Sequence, residues 1–196
     1  MNIDIKEITN TFVYGTLDIA TTDHLRDEIS AEIASAEAEP GEIGPLDEEG
    51  LFEDARKSTL VWLEDCPTTF KTVLDLTKEI NKDFFQLDMD DRIEMHQFTI
   101  YADPGAHYDW HQDHYEEDGP EDGFTRTVSI SLCMSPTDFY EGAEFFIKDE
   151  SETNIRVFKM GYGDFIIFPS TAEHRVNELR EGERGSLVVW YGLWDK

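Results

Sequence analysis

Cysteine is scarce, with only Cys66 and Cys133 in 196 residues. That excludes a disulfide-stapled secreted framework and makes a reducing, cytoplasmic compartment the expectation. Cys133 lies within an apolar, strand-like run and reads as a small buried residue. Basic side chains are also few: 16 against 44 acidic ones, for a formal net charge of -28. Such a surface repels phosphate backbones and anionic lipids, which counts against nucleic acid as a partner and a nucleobase as substrate. The same charge leaves two readings open, attraction of a basic peptide or protein and simple solubility in a salty or crowded setting. No run approaches the roughly 18 apolar residues of a membrane span. The start, "MNIDIKEITN", lacks a basic region followed by an apolar core, so the chain reads as soluble and unexported. No internal repeat is visible.

What is present suits a globular chain: 39% hydrophobic residues and 12% aromatics argue against global disorder. The length suggests one domain over residues 1–196, divided into a mainly helical region at 1–91 and a β-rich core at 92–196. Leu25, Ile29 and Ile33 form a narrow apolar stripe on an exposed helix that stops at Pro40-Gly41. Residues 40–50, rich in glycine and proline, read as a loop, and "TLVWL" at 59–63 as a strand. A second helix begins near Pro67, burying Phe70, Val73, Leu74, Ile80 and Phe84. Beyond residue 92 the period changes. "IEMHQFTIY", "FTRTVSISLCM", "AEFFI", "IRVFK", "DFIIF" and "SLVVWYGL" are short β-branched or aromatic runs, most of them separated by turn signals such as Pro104-Gly105, Glu141-Gly142 and Glu181-Gly182. This spacing predicts an all-β sandwich or open barrel with helices packed outside. The acidic stretch 116–123, "EEDGPEDG", reads as a solvated loop, with attraction of a basic protein as the alternative.

The chemistry concentrates in "YDWHQDHY", residues 108–115. On a strand, side chains two apart share a face, so His111 and Asp113 would stand side by side with Trp110 and Gln112 turned away. A third ligand must then come from elsewhere, and His174, after the apolar run "GDFIIFPS", is the best placed. Two histidines and a carboxylate on a β scaffold match the facial triad of non-haem Fe(II) oxygenases, although zinc hydrolases and cupin-like proteins use similar sets. His107 and Asp109 form an overlapping pair of the same spacing. They follow the Pro104-Gly105 turn directly, which favours the second pair without excluding the first. His114 has the wrong parity and reads as exposed or as a support behind the ligands, while His24 and His96 read as structural. On the last strand Arg184, Ser186, Val188 and Trp190 share one face, and Leu187, Val189 and Tyr191 the other. An arginine opening an inward face is costly unless an anion meets it, and its planar fork suits a carboxylate. A carboxylate-bearing small molecule or a neighbouring acid such as Glu181 or Glu183 would serve.

Taken together, "YADPGAHYDWHQD", "RTVSISLCMS", "EGAEFFI", "GDFIIFPSTAEHRV" and "GERGSLVVW" resemble the 2-oxoglutarate/Fe(II)-dependent oxygenases of the prolyl-4-hydroxylase-like branch, in that family's order over residues 101–190. "ARKSTLVWL" resembles the stretch leading into the domain in bacterial and phage relatives. The resemblance implies a double-stranded β-helix, jelly-roll or cupin-like, as the core. A glycine six residues and a tyrosine three residues before the first ligand fit Gly105, Tyr108 and His111, which makes His111, Asp113 and His174 the implied metal ligands. Arg184 matches the residue that binds the distal carboxylate of 2-oxoglutarate, with Ser186, Trp190 and Tyr101 around that pocket. Tyr108 and Arg126 match substrate or co-substrate contacts. No catalytic side chain beyond the metal ligands is implied. Fe(II), 2-oxoglutarate, O2 and ascorbate as accessory reductant are the implied cofactors. The implied reaction is hydroxylation of an unactivated C–H bond, first on a prolyl or other peptidyl residue and second on a free amino acid. The sequence departs from the family at Gly142-Ala143, where many relatives have two glycines, and at Phe145, where prolyl hydroxylases often have threonine. Two other classes stand beside this one, a non-catalytic β-helix binding module and an acidic interaction protein that mimics nucleic acid.

Overall fold

Period-two alternation, rather than helical spacing, organises the first residues of the chain. Ile3 and Ile5 alternate with exposed neighbours, and Val13, Gly15 and Leu17 are buried in turn. The computed structural model describes residues 1–41, 55–91, 95–114, 123–150 and 153–194. Within these the strands are β1 (Ile3–Ile8), β2 (Val13–Leu17), β3 (Glu39–Pro40), β4 (Arg56–Lys57), β5 (Thr59–Leu63), β6 (His96–Tyr101), β7 (His107–His111) and β8 (Phe124–Cys133). They continue as β9 (Tyr140–Gly142), β10 (Phe145–Lys148), β11 (Ile155–Phe158), β12 (Asp164–Pro169), β13 (His174–Val176), β14 (Leu179–Gly182) and β15 (Arg184–Trp194). Two α-helices, α1 (Ile19–Ile33) and α2 (Pro67–Ile80), precede the β-rich half, and a π-helical turn at Asn81–Phe85 extends α2.

The N-terminal region is therefore less helical than its sequence suggests. Five of the strands fall in it, and four of them join the main sheet. The apolar stripe of α1 drew attention because it is long; β1 and β2 are too short for their alternation to compete. α1 also ends at Ile33, ahead of Pro40, which instead pairs with Thr59. Most of the expected loop at 40–50, and all but Gly123 of the acidic stretch 116–123, lie outside the described residues. On α2 the buried side chains include Val73, Leu76 and Ile80, whereas Phe84 is 40% exposed. The π turn adds a residue per turn, so Phe85 rather than Phe84 packs against the core. No helix among the described residues is long and apolar enough to cross a membrane.

The strands form a double-stranded β-helix of two facing antiparallel sheets. The major sheet runs β1-β2-β12-β8-β15-β6-β5-β3, the minor one β11-β10-β13-β7-β4, and β14 pairs with β9 apart from them. Alternation along each strand divides the core in two. On β12, Phe165 and Ile167 join Leu25, Ile29, Val73 and Leu76 beneath the helices, whereas Ile166 and Phe168 join Phe145, Ile147 and Val176 between the sheets. Each fully buried side chain of this size contributes roughly 1.5–3 kcal/mol. On β15 the same rule sends Leu187, Val189 and Tyr191 to the helical side. Arg184, Ser186, Val188 and Trp190 face the space between the sheets, as their parity predicts.

Expected turn residues sit instead at strand ends. Gly142 closes β9 and Gly182 closes β14. Gly142 and Ala143 both have positive φ, 82° and 48°. The second position is thus one where glycine carries no steric penalty and alanine does. Register slips where β15 passes Tyr191 and Gly192, and a Cβ on Gly192 would lie 1.8 Å from the Thr125 carbonyl oxygen. Gly192→Ala is expected to cost about 1–3 kcal/mol by forcing β15 off β8. Urea unfolding checks this as a lower midpoint with an unchanged slope.

Candidate metal centre and its cavity

β7 ends on His111 and β13 begins with His174, and the two residues face each other across the ladder. Their ring centroids lie 4.1 Å apart. Backbone carbonyls two residues upstream orient both rings: His111 Nδ1 donates to Asp109 O at 2.7 Å and His174 Nδ1 to Ala172 O at 3.0 Å. That tautomer leaves both Nε2 lone pairs pointing at Asp113. His111 Nε2 lies 3.7 Å from Oδ1, and His174 Nε2 3.6 Å from Oδ2. One ligand atom from each residue lies within 4.8 Å of the others, the only such group among the described residues.

Strand parity is not what joins His111 to Asp113. Asp113 sits in a bend beyond β7, where its N–H and that of His114 both donate to the Ser170 carbonyl, at 2.9 and 3.0 Å. Ser129, hydrogen-bonded to Ser170 Oγ at 2.9 Å, stands beside the Asp113 carboxylate. Within β7 a bulge places His111 opposite His174 but Tyr108 opposite Val176. The extra residue turns Tyr108 to the same side as His111 despite odd spacing, and the two rings stack at 3.5 Å. The rival pair is not assembled: His107 donates to the Gly105 carbonyl and Asp109 is exposed. His114 is half-buried and hydrogen-bonds the Arg126 carbonyl, His24 is exposed, and His96 is buried against Phe70.

Electrostatics keep His111 and Asp113 ready for a cation. Burial, then the neighbouring His174, push the His111 pKa down to about 3. Burial would raise Asp113, but the two imidazoles and the Ser129 hydroxyl hold it below its ordinary value. A histidine whose folded pKa is depressed destabilises the fold as pH falls from its unfolded value, about 6.5, toward 3. The metal-free protein is expected to lose stability across that window, and His111→Gln to show a shallower loss. Thermal melts at half-unit intervals of pH, wild type against variant, measure the difference.

A cleft of ≈ 420 Å³, counting its open mouth, lies beside the triad. Arg184, Ser186, Tyr101, Tyr108 and Trp190 all line it, with Thr99, Ser131 and Phe145. Arg184 is 1% exposed and pairs with no carboxylate among the described residues; Met160 Sδ lies 3.8 Å from Nη2, the Tyr101 ring centroid 5.6 Å from the guanidinium carbon, and the Tyr140 hydroxyl close by. Four buried polar atoms around this one space lack hydrogen-bond partners among the described residues: Asp113 Oδ2, Arg184 Nε, Ser186 Oγ and Trp190 Nε1. Native proteins rarely leave such groups unsatisfied, so a cation between Asp113 and the imidazoles, and an anion at Arg184, fit this donor set. Phe145 places a ring stacked on His174, with 5.5 Å between the centroids. Arg126 is buried over the ring of the cleft residue Trp190, 3.9 Å from its centroid, and its charge helps to lower the pKa of Asp113.

Arg56 is the lining residue that sequence reading missed. It sits on the two-residue strand β4, opposite Tyr108, and is 6% exposed. A signal existed: an arginine two residues before a serine at the entry to an apolar strand, in "ARKSTLVWL". The family resemblance reads this stretch only as the approach to the domain.

Fold and site together define a β-helix protein with a His-Asp-His metal triad and an anion-binding arginine. Residues 96–192 match the model of the 2OG-Fe(II) oxygenase superfamily, and through this region the chain belongs to that superfamily. A PKHD-type hydroxylase of Idiomarina loihiensis is 34% identical over 86 residues, 44% of this chain and 37% of that protein. Another from Gluconobacter oxydans is 36% identical over 90 residues, 45% of this chain and 39% of its own length. The match thus spans little more than a third of these relatives. Among solved structures, a Pseudomonas putida prolyl-4-hydroxylase superimposes with a TM-score of 0.71 at 20% identity, covering 94% of both chains. A Trichoplax adhaerens prolyl hydroxylase, in complex with a hypoxia inducible factor peptide fragment, gives 0.70 at 16% identity, covering 94% of this chain and 84% of that one. Both share the fold.

Proposed function

We propose that this protein is an Fe(II)- and 2-oxoglutarate-dependent hydroxylase acting on a peptidyl residue, prolyl first, or on a free amino acid. The observation that carries this is the set of orphaned polar atoms facing one cleft, an acid between two imidazoles at one place and a guanidinium without a counter-ion at another. His111, Asp113 and His174 would hold the iron, and Arg184 with Ser186 the distal carboxylate of 2-oxoglutarate. When bound, the iron and co-substrate with O2 supply oxidative decarboxylation to succinate and CO2, coupled to hydroxylation of an unactivated C–H bond. The chain's own part is positional. The Asp109 and Ala172 carbonyls fix both imidazole tautomers, the Ser170 carbonyl holds the backbone of Asp113, and Phe145, Phe168 and Val176 keep the cleft walls apolar. No side chain here need act as general acid or base.

The relatives' designation as PKHD-type hydroxylases supports hydroxylation, and the peptide held by the Trichoplax protein supports a peptide substrate. An acidic interaction protein would leave Arg184, Ser186 and the triad without purpose. Anaerobic titration with Fe(II) and then 2-oxoglutarate tests the class: a visible charge-transfer band is expected, and its absence removes the reading. Mass spectrometry of cell extracts treated with the aerobic enzyme then seeks a product heavier by one oxygen atom.

A further inference from the structure

The chain as a whole is acidic, but the wall of its cleft is cationic. We propose that the substrate arrives bearing a carboxylate of its own, as a free amino acid or similar small acid does, and that Arg56 binds it. This rests on the hydroxylase reading above and narrows it. Arg56 is buried, yet its partners are neutral: Nε donates to Ser58 Oγ at 2.9 Å and Nη2 to Thr99 Oγ1 at 3.2 Å. Its face lies on Tyr108, 4.5 Å from the ring centroid, and Tyr108 stacks on the ligand His111. No carboxylate pairs with it among the described residues, and no hydrogen bond engages Nη1. The plane of the guanidinium is fixed on three sides while its charge is left for something that enters.

The surrounding groups point the same way. Thr99 Oγ1 accepts from Gln97 Nε2 at 2.7 Å as well as from Arg56, so both acceptor positions are taken and the hydroxyl's own hydrogen is free to donate. That wall of the cleft therefore offers donors and a positive charge, the setting for a carboxylate. Arg184 stands in the same cleft, and Tyr101 lies under the influence of both guanidinia, each opposing the rise that burial imposes on its phenol. One diacid chelating the metal has a single distal carboxylate, and the deeper Arg184 takes it. An anion at Arg56, one ring from a metal ligand, then belongs to a second molecule bound beside the metal. A free amino acid places a carboxylate next to its C–H bonds. A residue inside a peptide presents a neutral amide there and leaves Arg56 without a counter-ion.

The test uses the full chain loaded with Mn(II) and 2-oxoglutarate without oxygen, probed by ligand-observed NMR and calorimetry with free L-amino acids, each beside its carboxamide, and with end-blocked peptides. At least one free acid is expected to bind ~10-fold or more tighter than its carboxamide, with Arg56→Gln bringing the two together and Arg56→Lys keeping part of the difference. 2-Oxoglutarate affinity should stay level in both variants. Three results overturn the proposal: no free acid outbinding its carboxamide, an end-blocked peptide outbinding every acid, or Arg56→Gln weakening 2-oxoglutarate while the acid preference survives. Should Arg56→Gln fail to fold by circular dichroism, the wild-type comparison and the Lys variant decide. The Fe(II)/2-oxoglutarate band separates the two readings. Band present with a negative panel sinks the carboxylate subsite alone, and band absent sinks the hydroxylase reading as well.

Discussion

Arg184→Met is expected to weaken 2-oxoglutarate binding and, in the ligand-free protein, to raise the melting temperature. The two effects have one cause. A guanidinium 1% exposed, with the Met160 thioether, the Tyr101 ring and the Tyr140 hydroxyl for neighbours and no carboxylate among the described residues, is held out of water without a counter-charge. Methionine fills similar space beside Met160 with no charge to desolvate. Replacing buried charge by apolar volume is often worth about 1–4 kcal/mol of stability. Bound diacid reverses the balance, because the carboxylate loses its partner. Truncating one member of a buried, hydrogen-bonded charge pair costs about 2–5 kcal/mol, roughly 30-fold to several-thousand-fold in affinity. Calorimetric titration of the metal-loaded variant and a melting scan of the empty one measure both. Unchanged 2-oxoglutarate dependence would remove Arg184 from its proposed role, and a lower melting temperature would mean that its charge is compensated in the empty fold.

Asp113→Ala should abolish metal binding at neutral pH. Loss of a group that merely supports a ligand already costs ~10–100-fold in metal affinity, so removal of a ligand itself should exceed ~100-fold. The visible band with Fe(II) and 2-oxoglutarate should vanish and succinate formation should fall to background. Asp109→Ala is the paired control, because it tests the rival His107/Asp109 spacing directly. Its carboxylate is exposed, and its role at the site runs through the backbone carbonyl that accepts from His111, which alanine retains. A normal band in Asp109→Ala beside none in Asp113→Ala assigns the ligand. The opposite pattern would transfer it to the other pair.

How far the sequence could be read depended on whether strand geometry stayed regular. β15 is regular from Arg184 to Trp190, so its parity alone separated the residues facing the cleft from those under the helices. β7 is not. Its bulge puts Tyr108 beside His111, and the bend after it delivers Asp113 through contacts to Ser170, some sixty residues away. Period-two reasoning chose His111 and Asp113 on a premise the backbone does not obey; only the family resemblance carried Tyr108. Phe84 was misplaced for a similar reason, since a π turn is silent in an apolar pattern. Arg56 escapes because a two-residue strand has no period to read.

The two histidines of the triad stand on the minor sheet, with Asp113 just beyond β7, and Arg184 stands on the major one. A diacid gripped at both ends would therefore act as a rivet through the sandwich, resisting the breathing of one layer against the other. Amide hydrogens of β6, β13 and β15 should then exchange with solvent more slowly once metal and 2-oxoglutarate are both aboard than with either alone.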